Sequence, residues 1–218
     1  MLSRRNFLGT SIALLGMING CSVHLPVIRK MQGGVRVNDT PATFDTRIHS
    51  GDTITTETNS SVVCVIGDNA YQLGENSQMQ IHWRSLDDSW GQLIRPSYAE
   101  DGTFVNTLRM ISGTLTSVFG SSEKQIHIPS ATIGIRGTGV FIKINSDSTY
   151  FCTCYGQTQV TTKQSSQQIV SATHHKAFLL SHDTNNPTII SQDLKFHQDS
   201  DLYPLVALVG KQLPVDFK

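Results

Sequence analysis

The chain has 218 residues with 17 basic and 17 acidic side chains, so it carries no net charge and offers no basic stripe to a phosphate backbone. A nucleic-acid partner is therefore disfavoured. After the first twenty residues no apolar run is long enough to span a bilayer, so a membrane could be held only by some other attachment.

The first element in chain order is an address rather than a structural element. "MLSRRNFLGTSIALLGMINGC" opens with Arg4 and Arg5, runs through apolar residues from Phe7 to Ile18, and reaches Asn19, Gly20 and Cys21. "SRRNFL" resembles the twin-arginine export signal, which passes proteins already folded, and "INGC" resembles a lipobox, whose cysteine takes the lipid. The resemblance implies a signal peptide over 1–20, a lipid on Cys21 and a linker over 21–30. The mature protein then sits on the periplasmic side of the envelope, and Ser22 resembles a signal for the outer membrane. An ordinary secretory signal with a chance arginine pair is the competing reading, and it too leads out of the cytoplasm.

From Gly33 the chain becomes short alternating runs broken by Gly, Asn, Asp and Ser: "SVVCVI", "QMQIHW", "GTLTSVF", "KQIHI", "GVFIKI", "TYFCTCY" and "TQVTT". This pattern predicts an all-β domain over 31–172, a curled β-sandwich or solenoid-like arrangement of many short strands. "GDN" at 67–69 and "NSDS" at 145–148 predict hairpin turns. "RSLDDSWGQLIRPSYAEDG", residues 84–102, predicts an excursion or long loop. After Ala172 the texture changes: "HHKAFLLSHDTNNPTII" reads as an irregular tail, and "DSDLYPLVALVGKQLP" as one short helix in a packed segment over 173–218, capped by Asp199 or Ser200 and ended by Gly210.

Several of these runs together resemble the FecR-type periplasmic domain, named for the regulator of ferric-citrate uptake. The positions that carry the likeness are Gly51 and Asp52, the turn at Gly67 and Asp68, Gly113, the run "ATIGIRGT" at 131–138 with Arg136, Gly137 and Thr138, and Gly156. The resemblance implies the all-β fold and an envelope sensing or binding role. Regulators of that family resemble an anti-sigma segment joined by a transmembrane helix to the β domain; here an export signal with a lipid anchor stands in their place. That points to a separate lipoprotein-like branch.

The chemistry-bearing residues cluster late in the chain. If Cys21 carries lipid, Cys64, Cys152 and Cys154 remain, and an odd number cannot all pair internally. On an ideal strand Tyr150, Cys152 and Cys154 of "YFCTCYG" share one face. Their Cα atoms would lie about 6.5–7 Å apart, at the limit for an unstrained disulfide, whereas two thiolates converge easily on one metal ion. His174 and His175 follow the β-rich region, where a bend would carry one of them over the thiols. Cys152, Cys154, His174 and His175 thus form a candidate soft site for zinc, iron or copper. The bland alternative is plain core, since cysteine is a small, well-buried hydrophobe.

Other motifs are weaker. "GIRGTG" lacks the Lys-Ser/Thr ending of a phosphate loop, so its glycines read as points of close chain approach, with Arg136 fixing a turn. His197, Asp199 and Asp201 read as a solvated helix start. No serine, histidine and aspartate grouping resembles a hydrolase elbow. The expected function is non-enzymatic: a lipid-anchored binding or sensing accessory that presents a β surface to a ligand or partner protein in the envelope. A metal-binding or redox-active protein using the Cys/His cluster is one alternative, and a structural envelope scaffold the other. Replacing Arg4 and Arg5 by Lys should leave the precursor inside the cell, as fractionation would show, and Cys21→Ala should release the protein from membranes.

Overall fold

The computed structural model describes residues 27–84, 104–164, 167–183 and 185–217. The expected export signal with Arg4 and Arg5, the expected lipidation position Cys21 and the excursion expected after Arg84 lie outside the described residues. The chain first forms β1 (Val27–Gln32), β2 (Val35–Val37), β3 (Thr40–Pro41) and β4 (Thr53–Thr56). It continues with β5 (Ser61–Ile66), β6 (Asn69–Leu73), β7 (Gln78–Arg84), β8 (Phe104–Val118) and β9 (Lys124–His127). Then come β10 (Ala131–Ile144), β11 (Ser148–Thr162), β12 (Gln167–Ala172), β13 (Lys176–Ser181), β14 (Ile189–Gln192) and one helix, α1 (Asp199–Leu208). Among the described residues the protein is all-β with a single short C-terminal helix.

All these strands belong to one hydrogen-bonded sheet. Its three long strands do not keep one neighbour along their length. β8 pairs with β7 and β9 through its first half, then with β6 and β10 through its second. β10 leaves β9 for β8, and β11 leaves β13 for β12. Each change falls at or beside a glycine in the left-handed region: Gly113 (φ 79°), Gly137 (φ 62°) and Gly156 (φ 83°). A side chain at such a φ costs about 1–2 kcal/mol, which explains why glycine is needed where the strand must re-aim.

The two halves of the long strands thereby belong to two layers whose inner faces meet in one large core. Ile54, Met79, Ile81, Leu108, Ile133 and Val160 come from one layer, and Cys64, Ile66, Leu73, Leu115, Ile142 and Phe151 from the other. Alternation along the second layer leaves an outer apolar face made of Val63, Val65, Ala70, Val118, Phe141, Tyr150, Cys152 and Cys154. Helix α1 covers this face with Leu202, Leu205 and Val206.

Both expected hairpins form: Ile66 pairs with Asn69 across Gly67 and Asp68, and Ile144 pairs with Thr149 across the turn at 145–148. Asp52 organises the turn before β4, accepting from the His49 amide (2.7 Å) and from Asn38 Nδ2 (2.6 Å). Arg136 lies within β10, exposed and opposite Gln157, rather than at a turn. The stretch that reads as irregular after Ala172 contributes β13 and β14 to the same sheet. The cap of α1 is Gln198, one residue before the expected position, because the Asp201 carboxylate reaches back to accept its amide at 2.8 Å. Gly210 does end the helix, with Gly210 N–H donating to Ala207 and Lys211 N–H to Val206.

Two glycines separate conformational need from mere smallness. A Cβ on Gly156 would meet Thr138 Cγ2 at 2.7 Å in a left-handed backbone, whereas one on Gly134 would meet nothing closer than 3.6 Å. Gly156→Ala should destabilise the fold by about 1–3 kcal/mol and Gly134→Ala should stay within about 0.5 kcal/mol, as urea unfolding would register.

Candidate metal centre

Cys152 and Cys154 occupy the outer face of β11, fully buried, and neither is in a disulfide. Phe151, just before them, points into the main core, so the alternation expected of a strand holds here. Cys152 pairs laterally with Phe141 of β10 and Ala177 of β13. Cys154 sits at a break in both ladders. On the β10 side Gly139 pairs with Tyr155 and Val140 with Thr153, leaving Cys154 with no opposite residue.

On the other side Gly156 faces Ala172 and Thr153 faces Lys176, so Thr173, His174 and His175 span the space opposite only Cys154 and Tyr155. One extra residue is thus accommodated as a bulge, which re-aims side chains without ending the sheet. The His175 amide still donates to the Cys154 carbonyl at 2.9 Å, and His175 adopts a left-handed φ of 27°. This turns its ring toward the thiols: Nδ1 lies 3.6 Å from Cys152 Sγ.

The third piece comes from the strap between β14 and α1. Tyr150 anchors it, its hydroxyl donating to the Asp193 carbonyl (3.2 Å) and accepting from the Lys195 amide (2.9 Å). Phe196 turns through a left-handed φ of 69°, and the next residue, His197, lies flat on Phe141 with ring centroids 4.3 Å apart. His197 Nδ1 donates to the Lys195 carbonyl at 3.0 Å, which directs Nε2 into the cluster. Nε2 stands 3.5 Å from Cys154 Sγ and 3.2 Å from His175 Nδ1.

One ligand atom each from Cys152, Cys154, His175 and His197 therefore lies within 4.8 Å of every other. Of the four residues singled out from the sequence, the structure brings Cys152, Cys154 and His175 together. His174 stands one step outside, its Nε2 bonding the two Asp199 oxygens at 3.0 and 3.2 Å, and Asp199 Oδ1 also takes His175 Nε2 at 2.7 Å. His197 was expected at a solvated helix start and is instead buried in the cluster. No local pattern announces this, because its ring is placed by Phe141 and Tyr150, distant in sequence. Cys64 lies on the opposite face of the sheet, in the main core, where burial alone pushes its thiol up to about 12.

The electrostatics follow from burial and pairing. The neighbouring Cys154 thiol is the main cause that holds Cys152 far below the ordinary thiol range, against burial and with help from His175 and His197. Burial and then the neighbouring Cys152 push Cys154 the other way. For His175, burial opposes the charged ring, but Cys152 and Asp199 outweigh it and raise it. Burial likewise works against the Asp199 carboxylate, and its two histidine partners prevail and lower it. The result is a chain of alternating charge from Asp199 through His175 to the Cys152 thiolate.

No protein-family model matches the chain, and no curated protein matches it in sequence. In fold it is similar to two crystal structures of candidate anti-sigma factors from Parabacteroides distasonis ATCC 8503. One aligns with a TM-score of 0.50 at 10% identity, over 69% of this chain and 63% of the other. The second aligns with a TM-score of 0.47 at 11% identity, over 65% and 59%. At these identities the likeness concerns the fold alone, and the chain spans less than two thirds of the length of each.

The thiolate is directly observable in metal-free protein. Ultraviolet thiolate absorbance should report one equivalent at pH about 6, well below the ordinary thiol value of about 8.5, and should vanish in Cys152→Ser but survive in Cys64→Ser. Because the fold depresses this group, its contribution to stability is complete above the ordinary thiol range and is lost as pH falls through the lowered value.

Proposed function

We propose that the protein is an exported, lipid-anchored binding and sensing accessory of the FecR type, and that what it binds is a single zinc-class metal ion. The observation that carries the metal reading is the Cys₂His₂ set, Cys152, Cys154, His175 and His197, with all four ligand atoms within 4.8 Å of one another. Two thiolates and two imidazoles in a compact set suit a tetrahedral ion, zinc first and iron or copper(I) after it, and suit poorly the tetragonal plane preferred by copper(II).

Four protein ligands would fill a tetrahedral ion, leaving no open position for substrate or water, which supports a non-enzymatic role. Asp199 supplies the outer support such sites use, a carboxylate on the far nitrogen of a ligating histidine. The envelope sensing role rests on the resemblance to the FecR-type domain and on the likeness in fold to candidate anti-sigma factors. A partner protein in the envelope would read the β surface.

Protein purified from its native compartment should carry about one equivalent of metal by elemental analysis. Cys152→Ser, Cys154→Ser and His197→Ala should each lose it, whereas His174→Ala and Cys64→Ser should keep it. Binding a divalent ion displaces protons from Cys154 and His175, so affinity should fall as pH is lowered. Native protein without stoichiometric metal would sink the reading.

A further inference from the structure

His197 and Asp199 flank Gln198, the residue that caps α1, so one short segment supplies both a ligand and the outer carboxylate of the centre. The same segment continues into the helix whose Leu202, Leu205 and Val206 cover Val63, Val65, Ala70 and Val118. Beyond the helix the chain returns to the centre. Phe217 lies edge-on to His174 (4.9 Å), to His175 (5.6 Å) and to Tyr155 (6.0 Å). The C-terminal segment therefore meets the metal centre at both ends and the apolar face in between.

Among the described residues the segment's other ties are Asp199 on His174 and His175, the Tyr150 hydroxyl on Asp193 and Lys195, Lys143 over the Phe196 ring and, after the helix, Lys211 on Asp68, none of which fixes the His197 ring to the two thiols. The other three ligands belong to β11 and its neighbouring bulge, which are part of the sheet whether or not the tail is in place. A complete ligand set exists only when residues 193–199 are docked. By linkage, an ion that binds the docked form more tightly favours docking by the same factor.

Resting on the metal reading above, we propose that the bound ion is a latch: it holds residues 193–217 against the sheet, and its loss frees α1 and uncovers the apolar outer face. The ion thus controls access to a surface rather than the integrity of the sheet. The second layer's inner face packs in the main core independently of the tail, so Ile66, Leu115 and Ile142 stay buried in either state.

Amide hydrogen exchange on the full chain, with zinc added and after chelation, tests this. Amides of Leu202, Tyr203 and Leu205–Leu208 should exchange at least about tenfold faster without zinc, while those of Ile81 and Leu108 in β7 and β8 should be unchanged. His197→Ala should show the fast pattern even with zinc present. Asp199→Asn, which keeps all four ligands, should bind zinc about 10–100-fold more weakly and latch only at higher zinc. If zinc binds at one equivalent but α1 exchanges alike with and without it, the latch is overturned and the metal centre stands. If exchange quickens equally throughout the sheet, the ion supports the whole fold and the latch is again overturned. If no zinc binds, the metal reading itself has failed.

Discussion

Everything distinctive in this fold depends on a restriction of the β-ladder: a strand bent to close over a core cannot keep the same neighbours along its whole length. Three long strands meet that restriction in one way, by exchanging partners at or beside a left-handed glycine. Gly113, Gly137 and Gly156 divide β8, β10 and β11 between two layers. The inner faces of the layers enclose the main core, and the strand period then forces a second set of side chains outward. Val63, Val65, Phe141 and Tyr150 cannot remain in water as a group, so the chain must return to cover them.

The candidate metal centre grows from that return. Cys152 and Cys154 are aligned by ordinary alternation, but alternation alone would keep neighbouring histidines on opposite faces. The ladder breaks at Cys154 on both sides, and the extra residue in the bulge frees His175 to turn inward while His174 stays at the rim. Buried ionised groups are tolerated only in pairs, and here the pairing is serial. Asp199 at the start of a helix, where negative charge is favoured, faces an imidazole that faces a thiolate.

Much of this was legible in the residues because it follows from short-range rules. The many strands, the turns at Gly67 and 145–148, the shared face of Cys152 and Cys154, and the ending of α1 at Gly210 all obey local periodicity or local backbone preference. The misreadings have a common cause in long-range contact. β13 lacks clean alternation because Ala177 and Leu180 point to different cores, so the stretch reads as irregular. His197 is placed by stacking on Phe141, and nothing in "KFHQDSD" signals that a ring far upstream awaits it. The cap moved to Gln198 because Asp201 could reach it. The bend needed near His174 and His175 was legible, but which ring it would favour depends on a one-residue mismatch between strands.

If the four candidate ligands hold an ion, their spacing also sets an order of assembly. Cys152 and Cys154 are neighbours in any extended chain and would be the first to meet such an ion, before anything has folded. His175 bonds across a separation of 23 residues and His197 across one of 43. Loop-closure entropy grows only with the logarithm of length, so nearly doubling the span adds only about 0.6 kcal/mol. Chain entropy therefore barely delays the fourth ligand relative to the third. What holds His197 back is that its ring has no seat until β10 has brought Phe141 beside Cys152. An ion caught early by the two sulfurs would thus travel with an incomplete shell through most of folding, and the last vertex would close only as the tail settles.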